Sequence, residues 1–278
     1  MFPTLNPVTA SLPDPQDYVA LAAANGFAAV DHGADFWHAW VESAGLAKVQ
    51  EYCTSKKCTI AHGGLPVDFR QDDATFEAGL GKLPAIAATM KALGTRGMAT
   101  WIMPVCKVDP AEYRSMHVRR LKKVAAVLSH HGLKLGLEFV GPKTSRSEGN
   151  PFIYTMQGML ELCSEIDDAT CGLLLDSYHW YTSNGTLDDI RRLSVAKVVH
   201  VHVNDAYPGP RDELMDMKRL LPGEGVIDLP GFLTALKSIG YTGPLAVETF
   251  SDDLKAAGPQ EAARRAGEAM LRMMKSIQ

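Results

Sequence analysis

A chain of 278 residues that is 46% hydrophobic can bury a large core, and a formal net charge of −4 with no basic stripe argues against a nucleic-acid binder. Five cysteines form no CxxC pair, no basic leader precedes an apolar core at the N-terminus, and no apolar run reaches the roughly 18 residues of a membrane span. These features predict free thiols in a reducing compartment and a soluble, cytoplasmic protein with no membrane or nucleic-acid partner.

Short apolar runs alternate with longer helical patterns along the chain, without a Pro- or Ser-rich linker to divide it. Strands are expected near Leu5–Thr9, Ala28–Asp31, Thr59–Pro66, Gly97–Met103, Leu133–Val140, Cys171–Asp176, Val198–Asn204 and Leu245–Phe250. Helices are expected at Pro15–Asn25, Trp37–Cys53, Ala74–Leu93, Pro110–His131, Thr155–Ile166, Leu187–Leu193, Leu229–Ile239 and Pro259–Ser276. Asp109-Pro110 and Asp228-Leu229-Pro230 read as helix starts. Gly26, Gly94, Gly132 and Gly240 stand where a left-handed C-terminal turn favours glycine. Eight strand–helix units in 278 residues are about 35 residues each, as in parallel βαβ construction. No dinucleotide glycine fingerprint follows the first strand. The reading is therefore an α/β fold, a single (β/α)8 TIM barrel spanning 1–278, in which chemistry gathers where strands end.

The stretch Lys197–Asp205, KVVHVHVND, sets valines on one strand face and His200, His202 and Asn204 on the other. Other strand ends carry ionisable groups too: Glu138 in KLGLEFV, Asp176 in CGLLLDSYHW with His179 three residues on, and Glu248 in PLAVETF. A single carboxylate in an apolar run is more often structural than catalytic. Four ionisable groups at equivalent positions on successive strands instead call for a compensating cation. Three carboxylates and one imidazole, with no thiolate, suit Mn2+ first, then Mg2+ or Co2+, with Zn2+ also admitted.

The motifs LGLE, LLLDxxH, HVHVND, LPGEGVIDL and VETF, in this order over nearly the whole chain, resemble the xylose-isomerase-like barrels, nearest the inosose isomerases and ketose 3-epimerases. The resemblance implies that Glu138, Asp176, His202 and Glu248 are the metal ligands. It also implies that Glu138 and Glu248 are the acid–base pair, that His179 contacts substrate or the coordination shell, and that the protein forms a homo-oligomer. His200, one layer deeper, reads as scaffold. His62, Trp101, Arg211 and Glu224 are further candidates for substrate contact. The chain departs from related patterns in several places. It lacks the extra histidines of endonuclease IV, the second set of carboxylates of true xylose isomerases, and the Glu and Arg that ketose 3-epimerases carry where Thr144 and Pro208 stand here. The implied activity is isomerisation or epimerisation of a sugar, keto-sugar or inosose by proton transfer through a metal-stabilised enediolate. Two alternatives stand beside it: a lyase acting on a keto-inositol or keto-glycoside through the same chemistry, and a non-catalytic sugar-binding barrel. With no glycine-rich phosphate cradle near the last two strands, an unphosphorylated substrate is expected.

Overall fold

Runs of Val, Leu and Ala buried on both faces suit parallel strands, whose outer face is covered by crossover helices. In the computed structural model, which describes residues 1–277, eight such runs close into a parallel barrel. In chain order they are β1 (Phe2–Leu5), β2 (Ala29–Gly33), β3 (Thr59–Gly64), β4 (Gly97–Ile102), β5 (Lys134–Phe139), β6 (Cys171–Asp176), β7 (Val198–Val203) and β8 (Pro244–Val247). Each pairs with the next, and β8 pairs with β1. Helices form the outer layer. Asp109 caps the helix Pro110–His130 by accepting from the N–H groups of Ala111 and Glu112, and Asp228 caps Leu229–Ser238 through Gly231. Among the described residues no helix is long and apolar enough to cross a membrane.

Two expectations are corrected. The first strand ends at Leu5, and Asn6–Ala10 turns back on itself instead of continuing it. The Asn6 side chain accepts from the Val8 N–H, and Pro7 has no N–H to give to a ladder. The helical pattern expected over Trp37–Cys53 is broken into Ala34–Ala44 and Leu46–Lys56 at Gly45, whose φ of 87° no helix contains. Two short helices, Ser177–Thr182 and Asp252–Ala257, add to the expected set; each begins within a few residues of a strand end.

The segment after β7 has its own internal support. Asp205 exchanges backbone hydrogen bonds with Leu220 (2.9 and 2.8 Å). Its buried carboxylate accepts from the N–H groups of Gly223, Gly225 and Ile227 at 3.0, 3.0 and 2.9 Å. Gly225 must be glycine for this approach, because a Cβ there would lie 2.2 Å from the Ala206 carbonyl oxygen. The sequence LPGEGVIDL is thus a loop wrapped on one carboxylate, and it fixes the chain that carries Arg219. Asp205→Ala removes the acceptor of four N–H groups, those of Ala206, Gly223, Gly225 and Ile227, of which Ala206 and Ile227 belong to buried residues, and is expected to cost about 3 kcal/mol in urea unfolding. Hydrogen exchange should show lost protection at Gly223, Gly225 and Ile227; unchanged protection there would contradict this role.

Candidate metal centre

Strand register brings the acidic groups to one level. Asp176 at the end of β6 is the register partner of His202 on β7, and His202 is the partner of Ala246 on β8, two residues before Glu248. Glu138, near the end of β5, faces the same space. Ligand atoms of Glu138, Asp176, His202 and Glu248 all lie within 4.8 Å of one another. His202 Nδ1 is 3.5 Å from Glu138 Oε1, 3.3 Å from Glu248 Oε2 and 3.9 Å from Asp176 Oδ2. Glu138 Oε1 and His202 Nδ1 are both buried without a hydrogen-bond partner among the described residues. Two orphaned atoms aimed at one point, in a set of oxygen donors with one imidazole, fit a divalent cation.

The three carboxylates differ in their surroundings. Asp176 is the most tightly held. Its Oδ1 caps the following helix by accepting from Tyr178 and His179 N–H (2.6 and 3.2 Å), while Oδ2 accepts from Asn204 Nδ2 (2.9 Å) and Arg219 Nη1 (3.0 Å). Glu248 also receives Arg219 Nη1, at 3.1 Å. Burial alone would raise the Glu248 carboxyl, but His202 and Arg219 outweigh it and hold the group below the usual carboxylate range. Glu138 has no arginine, and burial raises it. Burial opposes charge on His202 as well, yet Glu248 and Glu138 together lift its pKa well above the ordinary imidazole value.

Arg219 was not among the sequence candidates, and the structure places it at the centre of this network. It is almost fully buried. Its guanidinium reaches Asp176, Glu248 and Asp216 (2.7 Å), and stacks 4.8 Å from the Phe250 ring centroid and 5.0 Å from that of Tyr178. The surrounding carboxylates overcome desolvation and raise its pKa.

Of the other sequence candidates, His62 and Trp101 line a cavity of about 250 Å³ that opens beside Glu138, His202 and Glu248. Trp101 is half exposed at the rim, with the Arg70 guanidinium 4.5 Å from its centroid. His62 is buried, stacked 4.3 Å from His200, and held neutral by desolvation. His200 in turn is paired with Asp31 at 2.7 Å, a buried contact between β2 and β7. His179 lies on the short helix that follows Asp176, its Nε2 3.3 Å from Arg219 Nη2, outside the cavity lining. Arg211 and Glu224 are not brought to the site. Arg211 donates to Asn184 (3.0 Å) and stacks on Tyr181, while the exposed Glu224 adds to the field at Arg265. In the GEG turn it is the glycine N–H groups, not the acid between them, that are used.

A closed parallel barrel with an acidic cluster at the C-terminal ends of its strands is a TIM barrel with a candidate metal centre. The model of the xylose isomerase-like TIM barrel family matches residues 19–275, and the chain belongs to that family. Inosose isomerase of Bacillus subtilis is 28% identical over 180 residues, which are 64% of this chain and 62% of that relative. The 3-dehydroshikimate dehydratase of Pseudomonas aeruginosa is 33% identical over 142 residues, 50% of this chain but only 21% of the relative. The chain thus spans about three fifths of the first relative and one fifth of the second. Among solved structures, a xylose isomerase domain protein from Alicyclobacillus acidocaldarius is 32% identical with a TM-score of 0.91, covering 100% of this chain and 99% of that one. The IolI protein with a binding zinc atom is 21% identical with a TM-score of 0.82, covering 100% and 99%, a likeness of fold.

Arg219→Met would leave the buried carboxylates without their internal cation. Urea unfolding in the presence of a chelator is expected to show a loss of about 3–5 kcal/mol. A loss below about 1 kcal/mol, the size of an exposed pair, would contradict the compensating role given to the guanidinium.

Proposed function

We propose that the protein is a divalent-metal-dependent isomerase or epimerase of a keto-sugar or inosose, working by proton transfer at the carbon beside a carbonyl. The observation that carries this reading is the convergence of three carboxylates and an imidazole, two of their atoms orphaned, with Glu138, His202 and Glu248 lining a cavity of about 250 Å³. Glu138, Asp176, His202 and Glu248 would hold the ion. Mn2+ is the first choice for such hard donors, and the zinc atom in the structurally similar IolI protein keeps Zn2+ beside it. The ion would supply the Lewis acidity that makes a proton next to a carbonyl removable near neutral pH.

The side chains divide the remaining work. Glu138 and Glu248 come from strands three apart around the ring, so they approach a bound substrate from different directions. One removes the proton and the other returns it: return to the opposite face gives epimerisation, return to the neighbouring carbon gives isomerisation. Asp176, with both oxygens already engaged by backbone, amide and guanidinium donors, has no freedom to carry a proton and serves to hold position. His202 and Arg219 together keep Glu248 ionised against its burial, and Asn204 ties Asp176 to the Glu248 carbonyl at 3.1 Å. The rim residue Trp101 offers an aromatic face to a sugar ring.

A second reading rests on the similarity to the dehydratase. Where the carbon next to the one deprotonated carries a hydroxyl, the same proton removal ends in loss of water. Incubation with Mn2+ and a panel of ketoses, inososes and keto-glycosides in D2O, followed by NMR, separates the two. Deuterium beside the carbonyl with the carbon skeleton and its hydroxyls retained is the expected result, and release of water or an aglycone would favour the lyase. No exchange with any substrate and any metal would overturn both. Glu248→Gln is expected to lower the exchange rate by roughly 10²–10⁴-fold, the contribution of a positioned acid–base group; full activity would remove it from the chemistry.

A further inference from the structure

The two nitrogens of His202 meet different surroundings. Nδ1 faces Glu138, Glu248 and Asp176, whereas Nε2 lies 3.4 Å from Nδ2 of Asn6, the residue directly after β1. Both side chains are buried, each 6% exposed. An imidazole that gives its Nδ1 lone pair to a cation carries its remaining proton on Nε2, whatever the proton count of the free protein. In the loaded protein Nε2 is therefore a donor and needs an acceptor.

Asn6 as it stands offers none. Its amide nitrogen faces Nε2 because its oxygen is in use, accepting from the Val8 N–H at 2.9 Å. The amide lies between two donors, the Val8 N–H and the His202 Nε2–H, and its one oxygen can face only one of them. Asp31 is the next acceptor in the neighbourhood. Its Oδ2 is taken by His200 at 2.7 Å, and it forms no hydrogen bond with His202.

The two donors do not compete on equal terms. His202 is enclosed in the barrel, while Val8 is 41% exposed at the rim, where water can replace a lost acceptor. A buried donor left unpaired costs its full desolvation, and a donor handed to water costs little. The turn also has room to yield. Pro7 and Val8 line the cavity beside the metal centre on one side and an open cleft of about 480 Å³ on the other. The far end of the turn is fixed, because Thr9 Oγ1 donates to the Val247 carbonyl and accepts from the Thr249 N–H, both at 2.8 Å. Movement is thus confined to Pro7 and Val8.

We propose that Asn6 is the positioning residue for His202. On cation loading its side-chain amide turns over, Oδ1 leaves the Val8 N–H and accepts from His202 Nε2, and the Pro7–Val8 wall of the cavity is released. One amide thereby couples the space open to substrate to the loading of the centre. The inference rests on the metal centre and function proposed above, and adds to them the group that orients the imidazole.

The test is amide hydrogen exchange, read by 15N NMR on valine-labelled protein that is stripped with chelator and then loaded with Zn2+ alone. Val8→Ile assigns the Val8 signal. Loading is expected to speed exchange at Val8 about tenfold, the size of one lost hydrogen bond, while the valines of β7 exchange no faster. Asn6→Leu keeps the volume but has no acceptor, and should weaken Zn2+ about tenfold at an unchanged stoichiometry of one. Asn6→Asp has an oxygen for each donor. It should bind Zn2+ at least as tightly as the wild type and keep Val8 equally slow with and without the ion. Should Asn6→Leu fail to fold, the wild type and Asn6→Asp decide the matter between them. Exchange at Val8 that ignores loading in the wild type, full Zn2+ affinity in Asn6→Leu, or loading-dependent exchange at Val8 in Asn6→Asp overturns the role of Asn6. Any of these beside saturable Zn2+ uptake by the wild type leaves the metal centre and the proposed function standing. No saturable uptake by the wild type overturns the centre and this inference with it.

Discussion

Three carboxylates are gathered at the mouth of the barrel, and the arrangement of everything near them follows from the need to offset that charge. An ionised carboxylate moved out of water costs several kcal/mol even after relaxation, and three in mutual contact add repulsion. The chain answers with one buried guanidinium, Arg219, which reaches two of the three, and with His202, whose imidazole lies among all of them. Neither neutralises Glu138 fully, and its Oε1 and His202 Nδ1 are left without partners. The deficit points to a place for a cation on one side of the cluster, away from Arg219.

The compensation reaches into the scaffold. Arg219 sits in an irregular segment, and such a segment holds a buried charge only if it is itself pinned. Its backbone N–H donates to the Phe250 carbonyl at 2.9 Å, next door Leu220 pairs with Asp205, and Asp205 folds the following loop around its carboxylate. A line of contacts therefore runs from Gly223 and Gly225 through Asp205 to Arg219 and on to Asp176 and Glu248. Asp176 is fixed twice over, as a helix cap and as an acceptor from Arg219 and Asn204. Rigid placement of this kind is what a centre needs if its open positions are to be kept for substrate.

Much of this was legible in the sequence, for physical reasons. Parallel strands buried on both faces read as apolar runs, so the eight strands of the barrel stood out, and an acid such as Glu138 within Leu-Gly-Leu-Glu-Phe is conspicuous because burial makes it costly. Boundaries were harder. Asn6-Pro7 ended the first strand early through a side-chain turn that hydrophobicity does not register, and Gly45 broke a helix whose apolar spacing continued through it. Arg219 was missed because its meaning depends on contacts 43 residues back and 29 residues ahead, to Asp176 and Glu248. An arginine set directly before Leu220 and Leu221 was the one available hint. Glu224 drew attention as an acid between glycines, although the glycines were placed there for their N–H groups. Arg211 is satisfied locally by Asn184 and Tyr181, a pairing no spacing rule would disclose.

The central claim is that the carboxylate–imidazole cluster is completed by one divalent cation. Calorimetric titration of chelator-stripped protein with Mn2+ and Zn2+, repeated in buffers of different ionisation enthalpy, tests it most directly. Because Glu138 and His202 both bind protons more strongly than usual before the ion arrives, one equivalent should bind with release of at least about one proton, and the site should be lost in His202→Ala. No saturable uptake, or uptake at full affinity by His202→Ala, would contradict the account.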